Sequence, residues 1–123
     1  MGGGQREKTV LCIDDDLSFL RLLRTSLELD GYRVITETDG LAALRLATTS
    51  AEIDAVVTDF HMPGCSGEKL CTGIRQAKPQ LPIVIFTGSP ATIPAWVRRS
   101  VDMLVDKGAG IPRVTAALQR LSA

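Results

Sequence analysis

Histidine is nearly missing from this chain: 123 residues contain one, His61. Cysteine is scarcely better represented, by Cys12, Cys65 and Cys71. They form no C-x-x-C pair, and no Cys/His spacing suits a zinc site, which would need more ligands than one histidine can complete. An odd number of unpatterned cysteines points to free thiols in a reducing compartment. Net charge is missing too, because 14 basic and 14 acidic side chains cancel. Such a balance gives no reason to expect a nucleic-acid or membrane surface. No apolar run approaches the roughly 18 residues of a membrane helix, and no signal-peptide pattern opens the chain. The expectation is a cytoplasmic domain.

What is present is material for one core. Hydrophobic residues make up 45% of the chain, which argues for a globular protein, and its length suits one domain rather than two. Residues 1–7 are Gly-rich and polar and read as a flexible lead-in to a domain over 8–122.

Along that domain, short apolar runs alternate with helical patterns. Residues 10–13 form an apolar run ending in Asp14, Asp15 and Asp16. From Asp16 to Leu29 the pattern is helical, with Phe19, Leu22, Leu23, Ser26 and Leu27 at three- and four-residue spacing, and Gly31 reads as the residue after a C-cap. Strand candidates follow at 32–36, 53–58, 83–86 and 103–105. Between them lie helical patterns over 41–47, 68–77 and a short piece over 95–99; a last helix starts near Pro112 with Val114, Ala117, Leu118 and Leu121 as its apolar stripe. Asp39-Gly40 reads as a turn.

Strand and helix thus alternate five times. Short apolar strands without polar alternation suit a parallel sheet covered on both faces. Right-handed crossovers then carry every strand's C-terminal end to one edge, where such sheets bind ligands. Asp14 and Asp15 end the first strand, Asp59 the third, Thr87 the fourth and Lys107 the fifth. Adjacent carboxylates repel, and a hard divalent cation such as Mg²⁺ would offset that repulsion with oxygen ligands. Lys107 adds a fixed cation and Thr87 a hydrogen-bond donor. A metal, a lysine and a hydroxyl suit phosphoryl chemistry, and one carboxylate can itself be the nucleophile, giving an aspartyl phosphate.

These residues resemble the response-regulator receiver domain of two-component signalling. The resemblance rests on Asp14-Asp15, on the stretch from Asp59 through Phe60, His61, Met62, Pro63 and Gly64 with Gly67 after it, on Thr87 and on Lys107. It implies a flavodoxin-like, doubly wound five-stranded parallel sheet of order 2-1-3-4-5 with helices on both faces. It implies Asp59 as phosphoacceptor, and Mg²⁺ held by Asp14, Asp15, Asp59 and the backbone carbonyl of His61. Thr87 would be the switch hydroxyl and Lys107 its partner. It further implies a histidine kinase or phosphotransfer protein as donor in a phosphorelay, an unnamed downstream protein target, and no enzymatic activity beyond the domain's own phosphorylation and dephosphorylation. Asp16 is expected to cap the first helix, and the His61 side chain to sit partly exposed at the site's mouth, modulating access.

The chain also departs from the family. Leu104 stands where an aromatic is usual, and Gly108 follows Lys107 where proline is usual. Pro90 and Pro94 interrupt the segment before the fourth helix, which should be truncated or shifted. The switching movement is therefore expected in 88–94 and the short helix after it, which carries Trp96, the single tryptophan. Two other functions stay open. Residues 14–18 also fit the D-x-D-x-[ST] nucleophile motif of haloacid-dehalogenase-like phosphatases, with Asp14 as nucleophile. A pseudo-receiver that binds a partner without phosphorylation is the third reading. The sequence leaves open whether the domain acts alone or within a longer protein.

Overall fold

The computed structural model describes residues 7–122; the expected lead-in falls almost wholly outside them. Five parallel strands run β1 (Thr9–Ile13), β2 (Arg33–Glu37), β3 (Ala55–Thr58), β4 (Ile83–Thr87) and β5 (Met103–Asp106). Their order in the sheet is β2-β1-β3-β4-β5, the doubly wound order expected. The helices are α1 (Leu17–Leu29), α2 (Gly40–Thr49), α3 (Gly67–Ala77), α4 (Ala95–Ser100) and α5 (Ile111–Ser122).

Side-chain alternation divides each strand between two cores. Val10 and Cys12 of β1, Val57 of β3 and Phe86 of β4 meet Leu20, Leu23 and Leu27 of α1 and Val114 and Leu118 of α5. Leu11, Ile13, Val56 and Ile85 point the other way, against Ala43, Leu70, Ile74 and Val97 of α2, α3 and α4. The inner strands β1, β3 and β4 are buried along their whole length because both faces are covered, whereas the edge strands β2 and β5 are only partly buried. Cys12, Cys65 and Cys71 are free thiols buried in these cores. Burial pushes Cys12 and Cys71 up to about 12, which keeps them protonated and unreactive.

The expected stripe of α1 needs one correction. Leu22 is 57% exposed, whereas Leu20, Leu23 and Leu27 are buried. The repeat that faces the sheet starts at Leu20, one residue later than Phe19, which reaches only part-way in. Gly31 ends α1 as expected. Its φ is +96°, and the Gly31 and Tyr32 amides return to the Glu28 and Leu27 carbonyls, as a Schellman motif requires. Asp39-Gly40 is a helix start rather than a free turn: the Asp39 carboxylate accepts the Ala42 amide at 2.8 Å. α4 is the truncated helix expected, with six residues. Pro90 opens a 3₁₀ turn, Pro90–Thr92, and Pro94 caps α4.

Gly67 marks the tightest backbone approach. A Cβ there would lie 2.3 Å from the Phe60 ring and 2.4 Å from the Phe60 carbonyl. Both are held against α3, so neither side can yield cheaply. Gly67→Ala should therefore destabilise the fold by roughly 1–3 kcal/mol, the usual cost of overpacking. Urea unfolding of the two proteins checks this, and an unchanged midpoint contradicts it.

Candidate functional site

The site is built by strand register. β1 and β3 pair with Ile13 opposite Thr58, and the ladder continues one step as the Asp59 amide donates to the Ile13 carbonyl at 2.9 Å. Asp14 and Asp59 therefore leave the sheet side by side. β4 and β5 pair with Thr87 opposite Asp106, so Lys107 follows directly at the same edge. Helix caps finish the layout, with the Asp16 carboxylate accepting the Phe19 amide at 3.1 Å and Ser66 Oγ accepting the Lys69 amide at 3.1 Å.

Of the five polar groups read from the strand ends, the structure joins four by side chain. Carboxylate oxygens of Asp14, Asp15 and Asp59 lie within 4.8 Å of one another. Lys107 Nζ donates to Asp14 Oδ2 at 2.6 Å and to Asp59 Oδ2 at 3.0 Å. Thr87, the fifth, is buried at the end of β4, and its Oγ accepts the Ser89 amide at 3.2 Å. Asp59 Oδ1 accepts the Phe60 amide at 2.6 Å and the His61 amide at a longer 3.4 Å. The His61 side chain is exposed, as expected, and its Nε2 lies 2.9 Å from Thr92 Oγ.

The depths of these groups decide their electrostatics. The Asp14 side chain is 4% exposed, Asp59 13% and Lys107 24%, whereas Asp15 is an exposed residue of the bend after β1. Burial raises the Asp14 pKa, and the Asp59 charge adds to it; the Lys107 and Asp16 hydrogen bonds work against both without cancelling them. Burial pulls Lys107 the other way, but its bonds to Asp14 and Asp59 outweigh that, and its pKa is raised. Lys107 therefore stays charged at neutral pH. Three carboxylates against one ammonium leave a strongly anionic cleft whose donors are all hard oxygens, a set that fits a divalent cation such as Mg²⁺.

Sequence reasoning missed two contributors. Phe19 lies under Lys107, with Nζ 4.5 Å from its ring centre, and holds the ammonium from the α1 side. Thr92 receives His61 from across the cleft. Phe19 already stood in the helical pattern, but nothing in its spacing signals a lysine 88 residues away (107 minus 19).

A family model described as the response regulator receiver domain matches residues 10–119. The chain belongs to that family. The receiver is 40% identical over 80 residues to the alkaline phosphatase synthesis transcriptional regulatory protein PhoP of Bacillus subtilis, an alignment covering 65% of this chain and 33% of that protein. It spans about a third of the length of the curated relatives it matches. Among solved structures it is similar to the response regulator TrrA of Thermotoga maritima in complex with Mg²⁺-BeF, with TM-score 0.86, 26% identity, and 93% and 98% of the two chains covered. TrrA in complex with the histidine kinase ThkA gives TM-score 0.85, 27% identity, and 94% and 99% coverage. A response regulator of Burkholderia pseudomallei, with a phosphorylated aspartic acid and a calcium ion, gives TM-score 0.76 and 26% identity, and 91% and 66% of the two chains are covered.

Within the receiver, Asp16 disfavours the phosphatase motif as an alternative. The second acid of D-x-D-x-[ST] would have to face the cleft, but its carboxylate is taken up as the α1 cap.

The Lys107 contacts generate a prediction. Lys107 is 24% exposed, so removing it should cost between the roughly 0–1 kcal/mol of a surface pair and the roughly 3–5 kcal/mol of a fully buried one. Lys107→Met should show a loss in that range by urea unfolding in chelator. Millimolar Mg²⁺ should restore part of it, since a second cation can take up the same carboxylates. An equal loss with and without Mg²⁺ contradicts the reading of Lys107 as the counter-charge.

Proposed function

We propose that this receiver takes a phosphoryl group from a histidine kinase or phosphotransfer protein onto Asp59 and changes conformation in response. The observation that carries the reading is the Lys107 ammonium held between the Asp14 and Asp59 carboxylates at the C-terminal edge of the sheet. Relatives support it: one similar structure holds a phosphorylated aspartic acid, and another a histidine kinase bound to its regulator.

The residues divide the work as follows. The Phe60 and His61 amides fix Asp59 Oδ1 and so orient the carboxylate. An Asp59 oxygen attacks phosphorus as the donor's bond to phosphorus breaks, and the donor leaves with that electron pair. Lys107 transfers its hydrogen bond from the carboxylates to the incoming phosphoryl oxygens and balances their charge. The Thr87 hydroxyl, so far an acceptor from Ser89, turns its proton toward another of those oxygens. Asp14, Asp15, Asp59 and the His61 carbonyl would hold Mg²⁺, which when bound neutralises charge on the transferring group.

In this reading the domain covers residues 8–122, catalyses only its own phosphorylation and dephosphorylation, and works in the cytoplasm. Among the described residues no helix is long and apolar enough to cross a membrane. Its downstream partner is a protein that distinguishes the two states.

With Mg²⁺ and acetyl phosphate the protein should gain one labile phosphoryl group, seen by intact-mass measurement. Chelation should prevent the gain, and Asp59→Asn should abolish it. Unchanged labelling of the Asn variant would sink the assignment.

A further inference from the structure

The segment between β4 and α4 is where a side chain from the acid site reaches out of it. His61 Nε2 lies 2.9 Å from Thr92 Oγ, and Thr92 Oγ lies 2.7 Å from the Ser89 carbonyl. A carbonyl can only accept, so the Thr92 proton goes to Ser89. The bond between the two side chains must then run from the Nε2–H of His61 to Thr92 Oγ, which fixes the tautomer of the neutral ring. The Ser89 amide in turn donates to Thr87 Oγ, and the His61 amide to Asp59 Oδ1. Asp59 and Thr87 are thus joined twice: through the sheet, and through His61, Thr92 and Ser89 over the top of it. His61 and Thr92 both line the cleft of about 650 Å³ that also holds Asp15 and Glu68, so their bond ties two of its walls together.

The turn that carries Thr92 does not move independently of α4. Arg98 of α4 donates to the Pro90 and Ile93 carbonyls, which brackets the turn. The other end of α4 is pinned, because Arg75 of α3 donates to the Ser100 carbonyl at 2.9 Å and to Asp102 at 3.1 Å. Turn and helix therefore form one arm, hinged near Ser100 and fastened at Thr92. On β5, Leu104 packs against the core without a ring that could swing.

We propose that the His61–Thr92 hydrogen bond is a latch that holds this arm over the cleft in the unphosphorylated protein and is released when Asp59 is phosphorylated. The proposal rests on Asp59 as the phosphoacceptor. Once Thr87 Oγ swings toward the phosphoryl group to donate its proton, the oxygen moves out of reach of the Ser89 amide that it accepts. The Ser89 peptide is then free to rotate, its carbonyl leaves Thr92, and the hydroxyl that received His61 loses its fixed orientation. The arm carries that change to α4 without any aromatic in β5.

The test compares wild type with His61→Phe, Thr92→Val, the double variant and Thr92→Ser. The readout is hydrogen exchange of the Thr92 and Ile93 amides, which bond to the Ser89 and Pro90 carbonyls. In unmodified protein, His61→Phe and Thr92→Val should each speed exchange about three- to tenfold, the scale of one hydrogen bond. The double variant should exchange no faster than Thr92→Val, and Thr92→Ser should match wild type. Beryllofluoride with Mg²⁺ should raise wild-type exchange to the level of the variants and shift Trp96 emission. Unchanged exchange in His61→Phe, or additive effects in the double variant, would overturn the latch. An intact latch that beryllofluoride does not loosen would overturn its coupling to Asp59. If acetyl phosphate fails to label wild type at all, the phosphoacceptor reading falls, while exchange in the unmodified protein still decides whether the latch exists.

Discussion

Three carboxylates that emerge at one sheet edge repel one another, and the fold has to hold them there beside an open cleft. Lys107 meets that constraint by standing between Asp14 and Asp59. The rest of the arrangement follows from keeping those groups in reach. The β1–β3 register places the two acids side by side, and the β4–β5 register delivers the lysine. Phe19 supports the lysine from below, and Gly67 lets α3 approach the Phe60 peptide next to Asp59. One ammonium does not balance three carboxylates, so the cleft remains anionic and is suited to gaining cations rather than losing them.

The half of the molecule around α4 obeys a different constraint. Two prolines leave room for only six helical residues there. A helix that short has little intrinsic stability, and side chains compensate. Val97 anchors it in the core, Arg75 holds its end, and Arg98 folds the preceding turn against it. Such a segment is held by a few identifiable bonds rather than by a broad apolar face. It can therefore change position without disturbing the sheet.

Much of this was legible in the sequence because buried parallel strands announce themselves as apolar runs, and the polar residue that ends each run marks the shared edge. Asp14, Asp15, Asp59, Thr87 and Lys107 were found this way, and so was the strand order once the receiver resemblance was drawn. Asp16 as the cap of α1 followed from its place before a helical pattern. Leu22 was misplaced because α1 carries leucines on both faces, so its period alone could not choose the buried side. Asp39 was read as a turn because a cap and a turn use the same residue types. Phe19 beneath Lys107 and Thr92 opposite His61 were invisible, since each pairing depends on how loops from distant strands approach one another.

The central claim is that Asp59, and neither acid of β1's end, is the atom donor to phosphorus. Reducing the phosphorylated protein with borohydride converts an acyl phosphate to the corresponding alcohol, and peptide mass mapping then locates it. The account predicts the modified residue at Asp59, in the peptide that also carries His61. Modification at Asp14 or Asp15 would contradict it.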